Sequence, residues 1–129
     1  MKPSYEQLEE RLRDANMRIA ELTGGHLAGD IRSAIGLEAK CARVLAMLYA
    51  APGMVSAGLI WSEVFADPAT GEGPDLSIVK VSISKIRRRL RALDLSEPTI
   101  VHDWGFGYRL IPAVRIFVAD RLRPTEIAA

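Results

Sequence analysis

The chain has 129 residues, 49% of them hydrophobic, and a net charge of only +1. That length allows one domain with a short appendage, and the composition argues against wholesale disorder. The apolar runs are too short to cross a bilayer, and Met1 leads directly into a polar segment without a signal-peptide pattern. The lone cysteine, Cys41, can close no internal disulfide, so a reducing cytoplasm is expected.

Ser4 to Leu22 reads as a first helix, with Ser4 and Gln7 matching a capping box. Tyr5, Leu8, Leu12, Ala15, Ile19 and Leu22 recur at alternating steps of three and four, the a/d pattern of a narrow seam. The stripe suits pairing with a second copy of the chain; packing back on its own domain is the alternative. Gly24 and Gly25 stop the helix and form a joint. Residues 1–23 are thus expected to be a coiled-coil-like helix and residues 24–36 a linker, in which Leu27, Ile31 and Ile35 could share one short apolar face. His26 has no second ligand near it in the chain, so no metal role is expected.

Leu37 to Ala50 reads as a second helix burying Leu37, Cys41, Val44, Leu45, Leu48 and Tyr49. Cys41 fits this face as a small core residue. Pro52 and Gly53 end the helix, and Met54 and Val55 form an extended link. Ser56 is placed to cap a third helix, Ala57 to Phe65, which is expected to bury Leu59, Ile60, Val64 and Phe65. Ala66 to Asp75 is rich in turn formers and reads as a loop; it carries Asp67, Glu72 and Asp75 and no basic residue.

In Leu76 to Leu93 the apolar residues Leu76, Val79, Ile83, Ile86, Leu90 and Leu93 follow helical spacing. Lys80, Lys85, Arg87, Arg88, Arg89 and Arg91 occupy the other faces, and no acid occurs between Asp75 and Asp94. In a nearly neutral chain this concentrates positive charge on one rod, suited either to a polyanion or to solvent. Thr99 to His102 and Gly107 to Leu110 then read as paired strands. Pro112 suits the first turn of a helix with Val114, Phe117, Val118 and Leu122 on one side. A strand through VRIFV is the weaker option, and Pro124 to Ala129 is expected to fray.

Two of these stretches resemble a known family. VKVSISKIRRRL, Val79 to Leu90, is similar to the VDVHISRLRRKL-type recognition helix of OmpR/PhoB-type winged-helix domains, the DNA-binding output domains of bacterial response regulators. WGFGYRL, Trp104 to Leu110, resembles the RGxGYRL-type wing of the same family, and Pro52, Gly53, Val55 and Ser56 match its PGxVxS link. The resemblance runs in order from Leu37 to Leu110. It implies a mainly α fold with a small antiparallel β wing: a winged helix-turn-helix over 37–111, preceded by the N-terminal coiled-coil-like helix and followed by an extension, 112–129. The chain departs from the family in having no receiver domain and no room in His26 to Gly36 for the usual opening sheet. Trp104 also replaces the wing arginine that commonly enters the minor groove. In these respects it looks most like stand-alone winged-helix proteins of bacterial and prophage genomes.

The function implied is that of a sequence-specific double-stranded DNA-binding regulator in the bacterial cytoplasm or nucleoid. Opposite the apolar stripe lie Ser77, Lys80, Val81, Ser84, Lys85 and Arg88. By resemblance Lys80, Val81, Ser84 and Lys85 approach bases, with Lys85 donating to guanine and Val81 meeting a thymine methyl. Ser77, Arg87, Arg88 and Arg91 are assigned to phosphates; Arg89 is open between solvent and an intramolecular role. His102, Trp104 and Arg109 are the wing candidates. Trp104 is open between packing on the domain and lying at the groove edge, and Tyr108 is expected mainly in the core. In the family, the loop corresponding to 66–75 can touch RNA polymerase. Tyr5, Leu8, Leu12, Ala15, Ile19 and Leu22 are the homodimer candidates. No cofactor or catalytic grouping is expected, since the GEG of Gly71 to Gly73 lacks the strand and the Lys-Ser/Thr pair of a phosphate loop. A winged-helix protein-interaction module and a non-specific architectural DNA-binding protein are the competing readings.

Overall fold

The computed structural model describes residues 27–95 and 98–122. The seam expected from Tyr5 to Leu22 and the tail after Pro124 lie outside those residues. The described chain is mainly helical with one two-stranded antiparallel sheet. In order come α1 (Leu27–Ile31, widening into a π-helical turn, Arg32–Gly36), α2 (Ala39–Ala50) and α3 (Ala57–Ile60, widening into a second π-helical turn, Trp61–Phe65). Then follow α4 (Ile78–Ala92), β1 (Ile100–Asp103), β2 (Gly107–Leu110) and α5 (Pro112–Arg121). None of these helices is long and apolar enough to cross a membrane.

α2 is the central helix. Cys41, Ala42, Val44, Leu45, Ala46, Leu48 and Tyr49 are all buried, leaving only Ala39, Lys40 and Arg43 exposed. A helix covered on nearly every side needs partners all round it. α4 supplies Val79, Ile83, Ile86 and Leu90, the hairpin supplies Ile100, Tyr108 and Leu110, and α5 supplies Val114 and Val118.

The span 27–36, expected as a linker, is helical and belongs to the core. Leu27, Ile31 and Ile35 are buried. An α-helical step of four overshoots one turn, whereas a wider i→i+5 turn undershoots it. The π turn therefore keeps three residues spaced by four on one face, a pattern that a purely α-helical template matches poorly.

Arginines close several element ends. The Arg43 guanidinium donates to the carbonyls of Glu63 (2.6 Å) and Val64 (3.4 Å) at the end of α3. Arg115 of α5 donates to Tyr49 (2.7 Å) and Ala51 (2.6 Å) at the end of α2. Helix C-termini leave carbonyls unpaired and carry partial negative charge, so a cation there satisfies both.

Two helix starts differ: one has a side-chain cap at its N-cap residue and the other has none. Ser56 Oγ accepts from the Leu59 N–H at 3.1 Å, as the sequence predicts. α4 begins at Ile78, and the Asp75 carboxylate accepts from the Ser77 N–H at 2.8 Å. That bond holds the Asp75 carboxyl below its usual range. Leu59 and Leu76, expected in the core, are instead about half exposed, at 49% and 52%. Leu76 precedes the first turn of α4, so the helical stripe does not extend to it.

The hairpin pairs Ile100 with Leu110, Val101 with Arg109, His102 with Tyr108 and Asp103 with Gly107. The link between α2 and α3 joins it: Val55 and Tyr108 exchange two backbone hydrogen bonds of 2.8 and 2.9 Å. α5 starts at Pro112 and is a helix rather than a strand.

Cys41 is 1% exposed, and its Sγ donates to Glu38 Oε1 at 3.3 Å. Burial first, then the Glu38 carboxylate, pushes the thiol up to about 11. The thiolate is the reactive form. Iodoacetamide at neutral pH is therefore expected to leave Cys41 unmodified in the native protein and to alkylate it fully in denaturant, as read by intact mass. Fast native labelling would contradict this packing.

Candidate nucleic-acid interface

α4 places its three consecutive arginines on different sides, because successive helix positions turn by about 100°. Arg87 reaches the hairpin, its Nη2 donating to the Ile100 carbonyl at 2.8 Å. Arg89 reaches α1, its Nε donating to the Ile35 carbonyl at 2.7 Å. Arg88 is exposed between them. Arg87 and Arg89 thus fix α4 against the hairpin and α1, and Arg87, expected at phosphate, has one guanidinium nitrogen engaged by this backbone contact. Arg91 is exposed but has an interaction of its own within the chain.

The outermost ridge of α4 is Ser77, Val81, Ser84 and Arg88, spaced four, three and four apart. All four are exposed, Val81 by 45%. The ridge is narrow and lacks acids, and three of its four side chains are short, so another surface can approach the helix closely. Lys80 flanks it on the hairpin side and Lys85 on the α2 side. Lys85 Nζ lies 3.0 Å from Glu38 Oε1, with the two side chains 50% and 60% exposed. The Lys85 hydrogen bond, followed by the Cys41 thiol, holds the Glu38 carboxyl below its usual range, and Glu38 in turn raises Lys85. Lys85 is therefore not an unopposed cation. Lys80 and Arg88 make no hydrogen bond or ion pair with the described residues; the Lys80 ammonium lies 5.7 Å from the Trp104 ring centroid.

The hairpin divides its candidates between two faces. His102 stacks on its cross-strand partner Tyr108, with ring centroids 4.3 Å apart and planes at 14°, and Trp104 leans on His102 at 5.1 Å. This row ends at Lys80, on the α4 side. Tyr108 is buried, as expected, and burial pushes its hydroxyl up. Arg109 pairs with Val101 and so lies on the opposite face; burial first, and then the charge of Arg109, lowers Arg115 from its ordinary value. Trp104 is 80% exposed and Phe106 71%. Phe106 was absent from the sequence-derived candidates; its position beside Trp104 in a glycine-bracketed turn was the available signal.

The loop from Ala66 to Asp75 is organised internally. The Asp67 carboxylate accepts from the Ala69 N–H, and its backbone bonds Glu72 and Gly71. Trp61 Nε1 donates to the Pro74 carbonyl at 2.7 Å. Among the described residues no group of three or more His, Cys, Asp or Glu side chains is arranged to hold a metal ion.

No protein-family model matches the chain, and neither a curated protein nor a solved structure matches it.

Proposed function

We propose that this chain is a sequence-specific double-stranded DNA-binding transcriptional regulator, a winged helix-turn-helix of the OmpR/PhoB type. In this reading α4 lies in the major groove, β1–β2 forms the wing, and the protein works in the bacterial cytoplasm or nucleoid. The observation that carries it is the acid-free ridge Ser77–Val81–Ser84–Arg88, flanked by Lys80 and held by Arg87 and Arg89 between two elements. A major groove about 12 Å wide admits one helix, and a rigidly mounted one presents its side chains in fixed register. Ser84 and Val81 face the bases; Lys80, on the hairpin side, and Arg88 and Ser77, along the ridge, face the phosphates. Two copies act together through the segment 1–23, which raises the effective concentration of the second module on a two-half-site operator. The acidic loop 66–75 stands off DNA and faces RNA polymerase.

The test is a salt titration of binding to random duplexes, combined with selection of bound fragments from a genomic library. A regulator gives a tight subset of sites above a salt-sensitive background, whereas an architectural protein gives the background alone. A protein-interaction module gives neither, and that result would end the proposal.

Glu38 makes a further prediction. In the free protein it competes with DNA for Lys85. E38Q is expected to tighten binding to random duplex and to steepen the salt dependence by about one unit, as one more cation neutralises phosphate. Fluorescence anisotropy across a salt series checks this; unchanged affinity and slope would mean that Lys85 does not meet DNA.

A further inference from the structure

We propose that the hairpin tip, Trp104–Gly105–Phe106, is an aromatic wedge that enters the DNA minor groove and partly unstacks one base step. The inference rests on the DNA-binding reading above. Two large aromatic side chains, 80% and 71% exposed, stand together at the end of a four-residue turn closed by the Phe106 N–H and the Asp103 carbonyl at 3.0 Å. Aromatic surface of this size is normally buried, and its exposure marks a contact site.

The mounting is rigid. Trp104 rests on His102, which stacks on the buried Tyr108, and Tyr108 is bonded through its backbone to Val55. Force on the tip therefore passes into the core instead of bending the turn, and little side-chain freedom is lost on contact.

The charge around the tip selects the partner. Lys80 lies against Trp104 on one face of the hairpin, and Arg109 projects from the other. An apolar end between two cations matches a groove whose floor is stacked bases and whose walls are two rows of phosphate. Apolar wedges of this kind unstack a step and kink the duplex toward the major groove. In that direction the duplex bends around α4, which the Arg87 clamp holds beside the hairpin. Pyrimidine–purine steps unstack most easily and A-tracts resist, so the wedge gives sequence preference at base pairs that no hydrogen bond reads. Asp103, at the foot of the turn, is the hairpin's only carboxylate and works against an anionic partner.

The experiment uses the full chain and two 24-base-pair probes, one with alternating TA steps and one A-tract, each carrying 2-aminopurine in place of a central adenine. The wild-type protein is expected to bind the TA probe on the order of 10-fold more tightly and to raise its 2-aminopurine fluorescence. W104A/F106A, whose side chains are too exposed to support the fold, is expected to keep the wild-type circular dichroism and salt slope but to lose both the preference and the fluorescence change. D103N is expected to bind both probes more tightly. If the wild type binds both probes equally, with full salt dependence and no fluorescence change, the wedge is wrong and the DNA-binding reading stands. If it shows no salt-dependent binding to either, the DNA-binding reading fails and the wedge with it. If W104A/F106A instead converts a sedimenting dimer to a monomer while leaving DNA binding untouched, the tip is a self-association surface and the wedge is overturned.

Discussion

K80A/R88A is expected to abolish DNA binding at moderate salt while leaving the fold intact. Both cations flank or top the outer ridge of α4, and neither is bonded to a described residue. A lost base contact costs about 1–3 kcal/mol, so at that cost for each cation the pair is expected to lose roughly 30- to 25,000-fold in affinity. The salt slope should flatten by about one unit per phosphate contact removed. The matched control is R87A/R89A, which removes the same number of charges from the same helix. Arg87 and Arg89 hold the Ile100 and Ile35 carbonyls, and a hydrogen bond from a charged group is worth about 1.5–3 kcal/mol. That variant is expected to melt at lower temperature, whereas K80A/R88A should melt close to the parent, losing only the Lys80–Trp104 contact, about 0.5–1 kcal/mol. Anisotropy titration and thermal denaturation of both variants separate the roles. If K80A/R88A binds DNA like the parent, α4 is not in the groove.

The division among these arginines also shows where sequence reading ends. Periodicity located α2 and α4, because their apolar faces follow a single helical repeat from Cys41 to Tyr49 and from Val79 to Leu90. The Ser56 cap, the turn glycines and Pro112 were legible for the same reason: each answers a local backbone need. Arg87, Arg88 and Arg89 are chemically identical neighbours, and only the positions of β1 and α1 around the helix determine which are engaged. Lys85 and Glu38 are 47 residues apart, so pairing them required the fold. α1 was missed because its stripe spans two helical geometries. Leu76 continues the apolar spacing of α4 in the sequence, whereas the helix begins two residues later, after the turn in which Asp75 accepts from the Ser77 N–H. The sequence alone allows Trp104 either environment; in the structure it is open to solvent on a stacked base of His102 and Tyr108.

G107V is expected to unfold the hairpin from the rest of the protein, by a larger margin than any other glycine substitution in the turn region. Gly107 has φ +124°, which L-residues with a side chain rarely adopt. A Cβ there would also overlap the Val55 carbonyl oxygen and come within 2.6 Å of its carbon and 2.9 Å of Ser56 Cα. These neighbours are backbone, so no rotamer change can relieve the overlap. The Val55–Tyr108 bridge would have to open, breaking two hydrogen bonds and uncovering Tyr108. Backbone strain of about 1–3 kcal/mol adds to two lost hydrogen bonds of about 0.5–1.5 kcal/mol each, giving about 2–6 kcal/mol in total. For a domain of this size that lowers Tm by roughly 10 °C or more. G105A makes the comparison specific. Gly105 has φ +85° but open space around its Cα, so only the conformational cost remains, about 1–2 kcal/mol. G53A, with negative φ and no neighbour within 4 Å, is expected to be neutral. Thermal melts of the three variants should rank G107V lowest, G105A next and G53A level with the parent. If G107V melts like G105A, the hairpin is not locked to the α2–α3 link, and the rigid mounting inferred for the aromatic tip loses its foundation.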